Sequence, residues 1–308
     1  MEKKSTLKKL ISKYKSLWKL NKRLPALPYI ETHLVDHCNL NCVGCTHYSH
    51  MSKEYFVDIN KYTKNIKQLS KILRFNRIRL LGGEPLLHPE VNKFMEVTRK
   101  YFPRSRLCLV TNGVLLPSMD ESFWKTCRDN NIIINLSRYP ANSKKIKDYV
   151  NLIKKNNVRV GWIHPGEKMY VFHNPKGDSR PVLSFLSCSI RKFRVIILRD
   201  SNIYICPKTA YIDIYNEKFN TNVPKDEGKN IFKYRGKEIL KYLKKPINTC
   251  KFCTYGGKMI PWQTSDSEKT EWDLDPDLDL LIKEQERREK LMIKSILEIK
   301  EKIKNNQK

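Results

Sequence analysis

Long apolar runs are missing from this chain. None approaches the roughly 20 residues that a spanning helix needs, so a transmembrane protein is not expected. The basic N-terminus also lacks the continuous apolar core of a secretory signal. The expectation is therefore a cytoplasmic protein. Acidic residues are scarce beside basic ones: 32 Asp and Glu against 60 Lys and Arg leave a formal net charge of +28. That balance favours an anionic partner such as a phosphorylated substrate, a nucleic acid or a membrane face. A Lys-rich solvated surface would give the same count. No RNA-binding signature, internal repeat or long Gly/Ser linker is present, so nucleic acid is not the expected partner. In a reducing compartment nine cysteines point to metal ligands or buried thiols rather than disulfides.

Three of those cysteines, Cys38, Cys42 and Cys45, stand at spacing C-x3-C-x2-C in HLVDHCNLNCVGCTHYSH. Three thiolates on one loop can each take one iron of a cubane cluster and leave the fourth iron open to a cofactor. Half of a zinc site, or three buried thiols, is the alternative on spacing alone.

The chain divides into four stretches. Residues 1–27 are a basic amphipathic helix. Leu7, Leu10, Ile11, Tyr14, Leu17 and Trp18 form one apolar stripe among lysines, and Pro25 and Pro28 end the pattern. Such a helix suits a membrane surface, which would make the protein peripheral at the inner face through residues 1–24. It suits docking on a protein core equally well. Residues 28–185 alternate. Strands are expected at 29–35, 77–82, 106–111, 132–137 and 157–163, with a weaker sixth at 169–173. Helices are expected at 58–73, 88–102, 118–129 and 142–155. This alternation reads as α/β with a parallel sheet, in the form of a partial (β/α)6 TIM-like barrel. Chemistry in such barrels sits on the loops after the strands. The cysteine loop, GGEP (Gly82, Gly83, Glu84, Pro85), TNG (Thr111, Asn112, Gly113) and LSRYP (with Ser137 and Arg138) all fall there. Residues 186–257 read as a small α+β unit, with a hairpin around Asp200, Ser201 and Asn202, a polar loop at 217–230 and a helix at 235–243. Residues 258–308 read as a charged helical tail.

Taken together, the cysteine loop, GGEP, TNG and LSRYP resemble the radical SAM superfamily over about residues 29–165. The resemblance implies a [4Fe-4S] cluster on Cys38, Cys42 and Cys45, whose open iron chelates S-adenosyl-L-methionine. It assigns Gly82, Gly83 and Glu84 to the methionyl amino group, and Ser137 and Arg138 to the ribose and carboxylate. Asn112 is a further cofactor candidate, with a turn role as its alternative. One departure is Gly44: the family usually places an aromatic residue there, against the adenine.

A second set, Cys188, Cys206, Cys250 and Cys253, ends in CKFC. Four thiolates close a site as zinc or as a fully ligated [4Fe-4S], and spacing does not separate the two. Its order resembles the Twitch/SPASM auxiliary-cluster domain, as laid out in the radical SAM 2-deoxy-scyllo-inosamine dehydrogenase. The phrase NIYICPKTAYIDIYNEKF resembles radical SAM proteins encoded beside glycosyltransferases. Cys108 and Cys127 read as buried core thiols.

These resemblances imply a radical SAM oxidoreductase or epimerase. Its substrate would be a sugar or aminocyclitol, nucleotide-linked or lipid-linked, in cell-surface glycan synthesis. A flavodoxin- or ferredoxin-type protein would supply electrons. In a dehydrogenase the auxiliary cluster takes the electron of the substrate radical, and a base takes the hydroxyl proton. His47, Tyr48, His50, His164 and His173 are the candidate bases. The alternatives are a radical SAM peptide-modifying enzyme and, from another class, a non-catalytic zinc protein at a membrane surface.

Overall fold

The computed structural model describes residues 24–192 and 195–274. The N-terminal amphipathic helix and most of the charged tail lie outside the described residues.

Four βα units and a fifth strand come first. Strands β1 (Ala26–His33), β2 (Arg74–Leu81), β3 (Arg106–Thr111), β4 (Ile132–Arg138) and β5 (Arg159–Pro165) alternate with helices α1 (Ile59–Ile72), α2 (Val91–Tyr101), α3 (Glu121–Asp129) and α4 (Ile146–Lys155). Helices α1 and α3 start where an aspartate supplies an acceptor for a free backbone N–H group. Asp58 accepts from Lys61 at 2.7 Å and Asp120 from Phe123 at 3.0 Å. Side-chain alternation splits each strand. Ile30, Ile78, Leu80, Leu107, Leu109, Ile134 and Leu136 pack on Tyr62, Ile66, Leu69, Phe94, Met95 and Phe123 of the helices. The alternate residues, among them Glu31, Arg79 and Ser137, face the concave side. There Arg79 donates to Glu31 at 2.9 Å.

Six strands run parallel, but the sixth is not the one expected. The order is β5-β4-β3-β2-β1-β7-β8-β9, with β7 (Ile197–Arg199) parallel to β1, and with β8 (Asn202–Tyr204) and β9 (Lys229–Asn230) antiparallel beyond it. The expected sixth strand exists as β6 (Lys168–His173), yet it leaves the sheet and pairs antiparallel with β10 (Cys253–Pro261). Its partner lies some 85 residues downstream, so no local pattern could announce it. The boundaries expected at 185/186 and 257/258 are both bridged by backbone pairing, through β1–β7 and β6–β10. The sheet stays open, since its edge strands β5 and β9 do not pair with each other.

Three further helices follow: α5 (Pro181–Ser187), α7 (Pro207–Phe219) and α8 (Gly236–Tyr242), with the short α6 (Ser189–Lys192) after α5. The polar loop expected at 217–230 begins later than expected, because a 13-residue helix runs to Phe219. That helix is buried on nearly all sides, so it shows no one-sided stripe. Tyr211 and Tyr215 on it join Tyr48, Ile197 and Trp272 in a second core beneath the cysteine loop. Among the described residues no helix is long and apolar enough to cross a membrane.

Candidate active site

The loops after β1 to β4 open into one cavity of about 870 Å³. Cys38, Cys42 and Cys45 all line it, Cys42 buried and the other two half-buried. Burial pushes the Cys38 thiol up, and Glu84, Cys45 and Cys42 add to the effect. Burial also pushes Cys42 up to about 12, with Cys45 adding. Thiols so placed stay protonated until a metal's charge makes thiolates of them. Two donors already face the sulfurs. The Leu40 N–H lies 3.4 Å from Cys38 Sγ. The buried Trp262 indole N–H finds no oxygen or nitrogen acceptor and lies beside Cys42, where it favours the thiolate. Among the described residues no three His, Cys, Asp or Glu side chains form a ready cage for one ion. A cubane asks for a different arrangement, because each thiolate takes its own iron.

The glycine pair fixes the loop that carries these thiols. A Cβ on Gly82 would stand 2.3 Å from the Val35 carbonyl oxygen, and one on Gly83 1.9 Å from that of His37. Only glycine lets the two loops meet there. The Gly83 N–H then donates to Val35 at 3.0 Å, and the Glu84 N–H to His37 at 3.2 Å. On the far side a strap crosses the same loop. Val43 donates to Gln263 and Ser265 to Asn41, each at 3.1 Å.

Of the site residues assigned by resemblance, Gly82, Gly83, Asn112 and Ser137 line the cavity, while Glu84 and Arg138 do not. Glu84 is 0 % exposed. Its carboxylate accepts from Leu86 N–H at 3.1 Å, Thr111 Oγ1 at 2.6 Å and Asn112 N–H at 2.8 Å. It therefore clamps the β2 and β3 loops together, with two of these bonds on Oε1 and one on Oε2. Arg138, the last residue of β4, pairs with Glu167 at 2.5 Å. Asn112 makes the turn: its Oδ1 accepts from Val114 N–H at 2.9 Å, and its Nδ2 reaches Asn39 of the cysteine loop at 2.7 Å.

Gly44 has φ +64°, and a Cβ there would stand 3.1 Å from Val171 of β6. The positive φ, more than the contact with β6, disfavours a larger residue at this position. Tyr139, which sequence reasoning did not single out, lines the cavity instead and stacks on Trp262 with ring centroids 6.3 Å apart. Of the candidate bases, His47 and His164 line the cavity. His50 stacks on Trp272, His173 lies against Tyr215, and Tyr48 is in the core. Burial and then Arg79 lower the His164 pKa, leaving that imidazole neutral at pH 7. Cys108 and Cys127 are buried away from the cavity, Cys127 with its sulfur 3.9 Å from Met95 Sδ.

A buried ionic network supports the cysteine loop from below. His33 Nδ1 bonds Asp36 at 2.8 Å. Arg199 bonds Asp36 at 3.0 Å and Asp213 at 2.8 Å, and stacks on Tyr211 at 4.5 Å. Arg199 thus ties the loop entrance to β7 and α7. The Asp36 side chain is only 4 % exposed. Arg199→Met should therefore cost about 3–5 kcal/mol, because it takes the guanidinium from a buried carboxylate and leaves it only the His33 bond. Urea unfolding of the metal-free protein checks this. A loss below about 1 kcal/mol would mean that the carboxylate finds water.

The second cysteine set converges from three elements. Cys188 follows α5, Cys206 caps the N-terminus of α7, and Cys250 and Cys253 flank the turn into β10. Burial raises the Cys206 thiol, and Cys253, Cys188 and Cys250 raise it further. Burial likewise pushes Cys250 up to about 12, with Cys253 adding. The four thiols are thus within electrostatic reach of one another. Ser189, Ile190 and Pro207, each next to or near one of these cysteines, line the large cavity, so the set stands behind its wall.

Residues 33–137 match the Radical SAM superfamily, a stretch that holds the cysteine loop, GGEP and TNG and ends at Ser137. The GTP 3',8-cyclase of Clostridium acetobutylicum is 32% identical over 105 residues, 32% of this chain and 31% of that protein. The GTP 3',8-cyclase of Trichodesmium erythraeum is 30% identical over 138 residues, 44% and 40% of the two chains. The chain thus spans well under half the length of these curated relatives. Among solved structures, BtrN in complex with AdoMet and 2-DOIA is 18% identical at a TM-score of 0.48, covering 75% of this chain and 94% of that one. The AdoMet-bound anSMEcpe structure is 25% identical at a TM-score of 0.35, covering 44% and 42%.

Proposed function

From the radical SAM domain at residues 33–137, we propose an oxidoreductase or epimerase that removes hydrogen from a sugar or aminocyclitol carried on a phosphate group. One observation carries this reading: the three loop cysteines, the glycine pair and Ser137 open into the same cavity, which Lys168 and Lys258 also line. Lys168 lies on β6 and Lys258 on β10, and among the described residues neither has an ion-pair partner. A nucleotide-linked or lipid-linked sugar would bring the anion those lysines lack.

A [4Fe-4S] cluster with S-adenosyl-L-methionine, when bound, supplies the 5′-deoxyadenosyl radical that takes the hydrogen atom. The chain's own residues hold and shape this site. Cys38, Cys42 and Cys45 ligate the cluster. The backbone of Gly82 and Gly83 faces the methionyl end, Ser137 the ribose, and Tyr139 offers the aromatic face missing at Gly44. His164, neutral and on the cavity wall, accepts a substrate hydroxyl proton. Cys188, Cys206, Cys250 and Cys253 would hold an auxiliary cluster behind the wall, which would supply a one-electron acceptor there. A flavodoxin- or ferredoxin-type protein donates the first electron.

The test is anaerobic turnover with reductant and S-adenosyl-L-methionine. The panel compares sugar nucleotides, lipid-linked sugar phosphates, free sugars and GTP, and 5′-deoxyadenosine is measured. Phosphate-bearing sugars should stimulate its release, and free sugars should not. Stimulation by GTP alone would replace this reading with a cyclase. Lys168→Ala with Lys258→Ala should raise KM about tenfold with kcat nearly unchanged, and added salt should shrink the difference. An unchanged KM would remove the lysines from substrate binding.

A further inference from the structure

Lys208 is among the largest wholly buried side chains of the protein, at 0 % exposure. It sits in the first turn of α7, where the helix dipole is positive and disfavours a cation. Among the described residues it has no carboxylate partner. Its ammonium donates to the Phe252 carbonyl and approaches Cys253 Sγ at 3.5 Å, and it lies 5.5 Å over the Phe172 ring. A buried ammonium without an anion is costly, so this arrangement asks for negative charge at the cysteines.

We infer that Lys208 donates an N–H···S hydrogen bond to Cys253 and thereby sets the reduction potential of a cluster on Cys188, Cys206, Cys250 and Cys253. This rests on the proposal that those four cysteines carry an iron–sulfur cluster. Four thiolates around a cubane make a net anion in both oxidation states, and reduction adds one more negative charge. A fixed cation and an N–H donor at one sulfur stabilise the reduced form more than the oxidised form, which raises the potential. The effect would make the site a better acceptor of one electron. Surface lysines could not do this, because water screens them.

The experiment uses the full chain carrying Cys38→Ala, Cys42→Ala and Cys45→Ala, so that only the second cluster contributes a signal. Iron and sulfide are counted, and the potential is followed by electron paramagnetic resonance during titration with dithionite. Lys208→Met, close in shape but uncharged, should keep about four irons and move the potential to more negative values. Lys208→Arg should stay near the parent. Loss of iron in the Met variant alone, with Arg loaded at the parent potential, also supports the inference. An unchanged potential in a fully loaded Met variant would overturn it and leave the second cluster standing. Loss of iron in both variants would mark Lys208 as a packing residue and overturn it too. Zinc, or no metal, at the second set of the parent would overturn the cluster reading itself, and the inference with it.

Discussion

Glu84→Ala should cost about 4 kcal/mol and prevent the cysteine loop from loading iron. The estimate follows from the donors left behind: Leu86 N–H, Thr111 Oγ1 and Asn112 N–H lose their common acceptor in a site without water access. The β2 and β3 loops would part, and the cysteine loop packed on Gly82 and Gly83 would lose its support. Glu84→Gln should cost only about 1–2 kcal/mol, since a carboxamide oxygen keeps two of the three bonds. The two variants also differ in pH response. Burial pushes the Glu84 carboxyl up to about 7 from its ordinary 4.5, while the Thr111, Asn112 and Leu86 bonds pull the other way. The folded state thus holds a proton that the unfolded chain releases. The contribution is complete below pH 4.5, shrinks as the pH rises to 7, and is absent above it. Its full size is of the order of 3 kcal/mol. Urea unfolding of metal-free protein from pH 4.5 to 8 should show this decline in the wild type and a shallower one in Glu84→Gln. Identical slopes would contradict the assignment of the proton to Glu84.

Local patterns announced the first five strands and the four helices between them because each strand carries its own alternation. In RIRLL, Ile78 and Leu80 face the helices while Arg77 and Arg79 face the concave side. Other features depend on contacts distant in sequence. Strand β6 turns away from the sheet because β10 offers it an antiparallel edge. Helix α7 has no stripe because it is buried nearly all round. Lys208 looks like any other lysine of a basic chain, and only its burial beside Cys253 distinguishes it. Glu84 lies in a motif read as a cofactor contact, but its three bonds run to backbone and hydroxyl groups that no spacing rule could reveal.

The largest functional effect belongs to the loop thiols. Each of Cys38, Cys42 and Cys45 would hold a separate iron, so replacing them together removes the cluster rather than loosening it. S-adenosyl-L-methionine cleavage should then fall to background. The second cysteine set draws on different elements of the fold and should keep its metal. The most direct measurement is iron and sulfide per chain in anaerobically reconstituted wild type and in the Cys38→Ala, Cys42→Ala, Cys45→Ala variant, with cleavage assayed in both. About eight irons should fall to about four, with cleavage lost. Zinc without iron or sulfide in the wild type, or full cleavage by the variant, would contradict that expectation.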